Sequence, residues 1–102
     1  VYFFDWVLLK DNGIECCCGH EFDSKKAKRY DFRDINVHLE KREGNKSNRY
    51  WIEISNKDSN SGLFSKSFKM DVKHERHGKY WEDFLMWYIW QCCGGRKHGK
   101  HA

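Results

Sequence analysis

Cysteine and histidine side chains are concentrated in two places in this chain of 102 residues, where together they could bind a metal ion. Thiolate and imidazole groups are ligands that Zn²⁺ prefers, and four of them complete a tetrahedral site. Neither group of residues has the C-x-x-C spacing typical of zinc knuckles, so small cysteines that fill gaps in the core are the competing interpretation. The candidate ligands are Cys16, Cys18, His20, Cys92, Cys93 and His98.

Two other segments carry residues that could act in catalysis. Cys18 and His20 would share a face of a strand, but a nucleophilic thiol needs a lowered pKa and a base held by a third group. The segment Val37-His38-Leu39, followed by GNKSN at 44–48, resembles the ββα-metal motif of HNH homing endonucleases, which would make His38 a general base. Leu39 stands where that motif has its second histidine, so a metal-binding ligand is missing. We therefore expect a protein that is not an enzyme.

The segment 80–93, YWEDFLMWYIWQCC, predicts a helix that is apolar on almost every side. Helical spacing puts a core-facing stripe on one side. That stripe consists of Trp81, Phe84, Leu85, Tyr88, Ile89 and Cys92. Glu82 and Asp83 in the first turn, and Gly94-Gly95 after the last turn, are typical helix ends. The apolar centre is much shorter than the roughly 20 residues that a membrane span needs. The second apolar face therefore predicts either a binding partner or a helix that is buried on several sides, packed under the N-terminal segment as well as the sheet.

The rest of the chain predicts antiparallel strands, although the periodicity of residues 1–10 is equally compatible with a short helix. Asp11-Asn12-Gly13 predicts a hairpin turn of type I′, because Asn-Gly tolerates positive φ. A change of phase at Arg33-Asp34 predicts a bulge inside one strand. The predicted strands cover residues 1–10, 14–22, 30–41, 49–55 and 64–72. We therefore expect an α+β fold, an antiparallel β-meander of about five strands packed on one C-terminal α-helix. Residues 1–93 would form a single domain, and 94–102 a basic tail rich in Gly and His.

Aromatic residues make up 17% of the chain, more than a domain of this size is expected to bury. Exposed Trp and Tyr side chains are the residues that most often anchor protein interfaces. We therefore expect a small non-catalytic binding module of the inhibitor, immunity or adaptor type, which docks on a larger macromolecule. Its candidate contacts are Tyr80, Trp87, Trp90 and Trp51.

A single-stranded nucleic acid, as in a ribonucleoprotein, is the alternative partner. The net charge is +4, and aromatic residues on a sheet can stack on bases while lysines and arginines contact phosphates. Three of the surplus positive charges lie in 94–102, which leaves the body nearly neutral and weakens this interpretation. The candidate basic residues are Lys25, Lys26, Lys28, Arg29, Arg49, Arg96, Lys97 and Lys100.

The five cysteines are an odd number and occur as adjacent runs, which predicts free thiols rather than a disulfide framework. Free thiols are typical of a reducing, intracellular compartment. Residues 1–9 are apolar but lack the basic start and small-residue cleavage site of a secretory signal, which agrees with that expectation.

Overall fold

The computed structural model describes residues 4–57 and 67–94, in which six strands precede one α-helix. The strands are β1 (Phe4–Leu9), β2 (Gly13–Gly19), β3 (Lys28–Asp31), β4 (Ile35–Arg42), β5 (Arg49–Asn56) and β6 (Phe68–Val72). Helix α1 (Glu75–Ile89) is followed by a short π-helix (Trp90–Gly94). The strands form two antiparallel sheets, a first sheet in the order β1-β2-β3 and a second sheet in the order β4-β5-β6. The predicted α+β fold is confirmed, with the strands divided between two sheets.

The predicted β1–β2 hairpin is confirmed, but its turn is not of type I′. The main-chain N–H of Lys10 donates to the carbonyl of Gly13 over 2.9 Å, so the turn is centred on Asp11 and Asn12. None of the described residues has a positive φ. Gly13 serves a different purpose, because a Cβ there would lie 2.5 Å from the carbonyl oxygen of Tyr30 on β3. The glycine allows the two strands to approach closely.

The predicted bulge at Arg33-Asp34 is wrong, because a turn at this point ends the first sheet and leads into the second. The carboxylate of Asp31 accepts a hydrogen bond from the main-chain N–H of Arg33 over 2.9 Å, and another from its guanidinium over 3.0 Å. These bonds lower the pKa of Asp31. Aspartate that bonds to the main chain two residues ahead stabilises a turn. Residues 30–41 therefore contribute to two strands, and the change of phase marks the turn between them.

The core lies on one face of the second sheet. Residues directly opposite each other on neighbouring strands share a face, so Val37, Ile54 and Phe68 form one row of this core and Leu39, Ile52 and Met70 the next. Both the first sheet and α1 cover this inner face. The buried apolar residues that meet there are Ile14, Cys16, Tyr30, Phe32, Ile35, Val37, Ile52, Ile54, Phe68 and Leu85.

Helix α1 begins at Glu75, earlier than the predicted start at Tyr80. Glu75 is therefore the acidic residue of the first turn, and the prediction of Glu82 and Asp83 for that position is wrong. Within the added turn, Gly78 is buried, and a Cβ there would lie 2.5 Å from Cδ1 of Leu39. Glycine is a weak helix former, so its presence obscured the helical pattern while permitting close packing.

The C-terminal end of α1 also differs from the prediction. Gly94 belongs to the π-helix rather than forming a left-handed cap, and Gly95 lies outside the described residues. Within the described ranges, no helix is both long and apolar enough to cross a membrane. The strand predicted for 64–72 is observed from Phe68 onward, Ser67 lies before it, and residues 64–66 are outside the described residues.

Candidate functional site

One face of α1 and its π-helical extension is turned away from both sheets and carries large apolar side chains. Tyr80, Trp87 and Trp90 are 66%, 55% and 43% exposed. Spacings of seven and three residues put them in one stripe along the helix. Met86 is exposed beside them. These four residues, Tyr80, Met86, Trp87 and Trp90, are called the exposed helix face below.

Aromatic rings connect this face to the packed side of the helix. The ring of Tyr80 contacts that of Trp81 edge-on, with 5.8 Å between centroids, and Trp81 in turn contacts Phe84 at 5.9 Å. Phe84 lies 6.2 Å from Trp87 and 6.5 Å from Tyr88. Neighbouring rings at these separations attract one another. The exposed rings of Tyr80 and Trp87 are therefore restrained before any partner binds.

The predicted core stripe of α1 packs against the sheets with one exception. Leu85 is buried, and the other packed members are half-buried. Trp81 was predicted to belong to the core, but it is 43% exposed, so the prediction is wrong for this residue. The half-buried members are Phe84, Tyr88, Ile89 and Cys92.

Trp81 lines a groove of about 310 Å³ between β1 and α1. Asp5 is the only residue with an ionisable side chain among the described residues that line this groove. The volume lies at the lower end of the range for small-molecule sites, about 300–1,000 Å³. The other lining residues are Trp6, Val7, Leu9, Met70, Phe84 and Leu85.

The outer face of β1 is a second exposed apolar surface, which was not predicted. Phe4, Trp6 and Leu8 alternate along the strand and are all exposed, while Val7 and Leu9 pack towards the core. The indole N–H of Trp6 donates to the carbonyl of Gly19 over 3.0 Å, which fixes its ring over the first sheet. The signal was present in the sequence, because a strand that is apolar on both faces can bury only one against a single core.

Trp51 lies on a different surface from the exposed helix face. Its neighbour Ile52 points into the core beneath α1, so Trp51 lies on the outer face of the second sheet. The charged groups of Arg49 and Lys69 each lie 5.6 Å from the centre of its ring. The structure therefore separates Trp51 from the three helical aromatic residues with which it was predicted.

Three of the basic residues predicted to bind nucleic acid bond within the protein. The ammonium group of Lys28 donates to the carbonyl of Ser67 over 3.1 Å. The guanidinium of Arg49 donates to both carboxylate oxygens of Asp71, at 3.0 and 3.3 Å. Arg29 donates to the side chain of Asn12 and lies 3.9 Å from Glu15. Lys25 and Lys26 are exposed in the turn before β3, whereas Arg96, Lys97 and Lys100 lie outside the described residues.

The cysteines of β2 are free thiols, and the surroundings of Cys16 and Cys18 favour the protonated form. Burial raises the pKa of the Cys16 thiol to about 12. Desolvation, followed by the nearby Asp5 carboxylate, raises the pKa of Cys18. The sulfur of Cys17 accepts a hydrogen bond from the main-chain N–H of Asp23 over 3.5 Å. A raised thiol pKa is the opposite of what a nucleophile or a metal-bound thiolate requires.

No group of three His, Cys, Asp or Glu side chains in the described part of the chain could hold a metal ion. Of the predicted ligands, Cys16 is part of the core and His20 is exposed. Cys92 is half-buried, and its hydrogen bond with Tyr88 raises the pKa of the tyrosine hydroxyl. The side chain of Cys93 and all of His98 lie outside the described residues.

Comparisons of this chain with protein-family models, with curated protein sequences and with solved structures find no match. Its function is therefore inferred from its own geometry.

Proposed function

We propose that this protein is a small non-catalytic binding module, of the inhibitor, immunity or adaptor type, that docks on a larger protein through the exposed helix face. The observation that carries this proposal is the stripe of Tyr80, Trp87 and Trp90 on the solvent side of α1. An amphipathic helix commonly binds by laying such a stripe into an apolar groove of its partner. Tryptophan and tyrosine supply much of the binding energy in such interfaces.

Asp83 indicates the chemistry of the partner groove. It lies on the same side of the helix, three residues after Tyr80 and four before Trp87, and it is exposed. A carboxylate covered by a partner must receive a hydrogen bond or an opposite charge, because burial without one is costly. The partner therefore combines apolar pockets for the rings with a donor, such as Lys or Arg, opposite Asp83.

The packing of α1 favours tight binding. The ring contacts between Trp81, Phe84 and Trp87 restrict these side chains before the partner arrives. Ordering a flexible side chain at an interface costs roughly 0.5–1.5 kcal/mol, and pre-ordered side chains avoid much of this cost. The protonated thiols of Cys16 and Cys18 agree with a non-catalytic role.

Native mass spectrometry of the protein purified from its source tests the proposal. We expect a complex with a protein companion. The variants Trp87→Ala and Trp90→Ala should each weaken that complex by at least about tenfold, the effect of losing an anchoring aromatic residue. Phe4→Ala is the matched control, because Phe4 is also 55% exposed but lies on β1. A companion that survives both tryptophan substitutions unchanged would contradict the proposal.

The alternative partner, a single-stranded nucleic acid, is supported by Trp51 with the cations of Arg49 and Lys69 beside its ring. Two carboxylates oppose it, since Glu53 lies 3.5 Å from the indole nitrogen and Asp71 is bonded to Arg49. Salt separates the two interpretations, because phosphate contacts weaken steeply as the salt concentration rises. An added mass of one zinc ion in the same spectrum would support the metal alternative instead.

A reducing intracellular location is part of the proposal. Cys16, Cys17, Cys18 and Cys92 are free thiols in the folded protein. Free thiols persist where the cellular thiol buffers keep them reduced. Purification with and without a reducing agent tests this point, because mixed disulfides at the exposed Cys18 should appear only under oxidising conditions.

A further inference from the structure

Two three-stranded sheets have four edge strands, and three of these edges carry features that discourage pairing with another chain. On β4, the main-chain N–H of Leu39 is occupied by the carboxylate of Glu82. β6 carries Lys69 and Asp71 on its outer face, and β3 is only four residues long, three of them charged. Charged side chains, short strands and covered edges are the usual means by which proteins prevent edge-to-edge association.

The fourth edge, β1, carries the fewest of these features among the residues described. It is six residues long, and Asp5 is its single charged residue. The hydrogen bond from the N–H of Lys10 to the carbonyl of Gly13 shows which residues of β1 bond to β2. Along a strand of an antiparallel pair, the main-chain N–H and C=O groups of one residue face the neighbouring strand, and those of the next residue face away from it. The N–H and C=O groups of Asp5, Val7 and Leu9 therefore face outward, along the groove between β1 and α1.

We propose that β1 pairs with β1 of a second copy of this chain, antiparallel and about a two-fold axis at Val7. The result is a symmetric dimer in which the two first sheets join into one. With Val7 opposite Val7 of the second copy, Asp5 lies opposite Leu9, and every outward-facing residue of β1 gains a partner. Each such pair exchanges two main-chain hydrogen bonds. If the register of the two β1 strands shifted by two residues in either direction, either Asp5 or Leu9 would have no partner on the other β1.

The same register matches the side chains. On the outer face, Trp6 lies opposite Leu8 of the second copy, and Phe4 lies opposite Lys10. No like charges face each other, because the two Asp5 side chains are four residues apart along the strand pair, or about 13 Å. Antiparallel pairing also brings the acidic end of each strand beside the basic end of the other, whereas parallel pairing would bring like charges together.

The inner face is complementary as well. Side chains that alternate with the outer-face residues point to the groove side of β1. Val7 and Leu9 of the second copy would therefore point towards the apolar groove that contains Trp81 and Met70. One pair of strands is a small contact, at or below the roughly 1,200 Å² at the lower end of specific interfaces. We therefore expect a dimer that dissociates on dilution.

Sedimentation equilibrium of the full chain over a wide concentration range tests this dimer. The expected mass rises with concentration from 12.4 kDa to twice that value. Leu8→Glu should remain a monomer, because its carboxylate would lie opposite Trp6 of the second copy. Phe4→Glu makes the same change on the same face but lies opposite Lys10. The ammonium group of Lys10 is half-exposed beside Glu15, at 2.8 Å, and can bond to a second carboxylate, so this variant should still dimerise. A wild-type chain that stays monomeric at every concentration would overturn the proposal, as would a fully dimeric Leu8→Glu.

Val7→Pro provides a second test that leaves the hairpin intact. The N–H of Val7 points away from β2, so proline removes a bond only from the dimer, and edge strands tolerate proline at such positions. We expect a monomer with an unchanged circular dichroism spectrum, and a dimeric Val7→Pro would overturn the proposal. Because β1 and the exposed helix face share no residue, Trp87→Ala should still dimerise, and Val7→Pro should still bind the protein companion.

Discussion

The carboxylate of Glu82 on α1 accepts a hydrogen bond from the main-chain N–H of Leu39 on β4 over 2.5 Å. Leu39 lies on the edge strand of the second sheet, where its N–H has no neighbouring strand. A helical side chain thus supplies the acceptor that a further strand would otherwise provide. The bond fixes α1 across the inner face of this sheet, which leaves the exposed helix face directed to solvent.

Substitution of Glu82 should weaken the docking of α1. Glu82→Ala leaves the N–H of Leu39 without its acceptor, and we expect the free energy of unfolding to fall by about 1–3 kcal/mol. Urea denaturation followed by circular dichroism measures the change. Asp83→Ala is the matched control, since this neighbouring carboxylate is exposed, and its effect should stay within about 0.5 kcal/mol. Equal effects from the two substitutions would show that the bond does not stabilise the fold.

Gly13 and Gly19, the first and last residues of β2, should respond differently to substitution by alanine. A Cβ at Gly13 would lie 2.5 Å from the carbonyl oxygen of Tyr30, whereas one at Gly19 would have its nearest contact at 3.6 Å, an ordinary distance. Because the close contact involves main chain, Gly13→Ala should lower the free energy of unfolding by about 1–3 kcal/mol. Gly19→Ala should change it by less than about 0.5 kcal/mol. Thermal unfolding of the two variants decides the comparison.

Local patterns predicted most elements of the fold because each pattern reflects local chemistry. The alternation in β4 and β5 and the polar Asp11-Asn12 turn both identify strands correctly. Longer-range packing accounts for the errors. The helical turn at Glu75 was missed because Gly78 contributes no apolar side chain to the helical pattern. A glycine occupies this position because a Cβ would meet the side chains of Leu39 and Val72.

The candidate site was predicted only in part, for a related reason. Helical spacing identified Trp87 and Trp90 as lying on the second face of α1, and both are exposed. The spacing of apolar residues along α1 does not show how much of the packed face the neighbouring strands cover. Trp81 was therefore predicted to be buried, although β1 leaves it open to the groove. The exposed stripe on β1 escaped prediction because both faces of that strand are apolar, and only the fold decides which one is covered.

The buried thiol of Cys16 should make the fold sensitive to alkaline pH. Burial raises its pKa from the ordinary 9.0 to about 12 in the folded protein. Between these values the unfolded chain loses the proton while the native chain keeps it. The stabilisation is therefore complete below pH 9, and it is lost progressively as the pH rises towards 12. The slope should approach about 1.4 kcal/mol per pH unit for one proton.

Urea denaturation at several pH values from neutral to alkaline measures this slope. Cys16→Ala removes the titrating group, so the decline above pH 9 should become shallower, whatever the variant's stability at neutral pH. A smaller decline should remain, because burial also raises the pKa of Tyr30. An identical alkaline slope in the wild type and in Cys16→Ala would contradict the prediction.

The reactivity of Cys18 should depend on the carboxylate opposite it. The β1–β2 register pairs Cys18 with Asp5, and after desolvation the charge of Asp5 is the next largest cause of the raised pKa of this exposed thiol. Asp5→Asn removes that charge, so the pKa of Cys18 should fall. Since the thiolate is the reactive form, alkylation by iodoacetamide should become faster at neutral pH, and its pH profile should shift to lower pH.

Mass spectrometry of the labelled β2 peptide follows Cys18 separately from the buried Cys16. Asp11→Asn is the matched control, because it removes an equal charge from the turn at the opposite end of the same hairpin. Its pH profile at Cys18 should coincide with that of the wild type. If Asp5→Asn and Asp11→Asn shift the profile equally, the effect comes from the net charge of the hairpin, and the paired carboxylate has no special influence on the thiol.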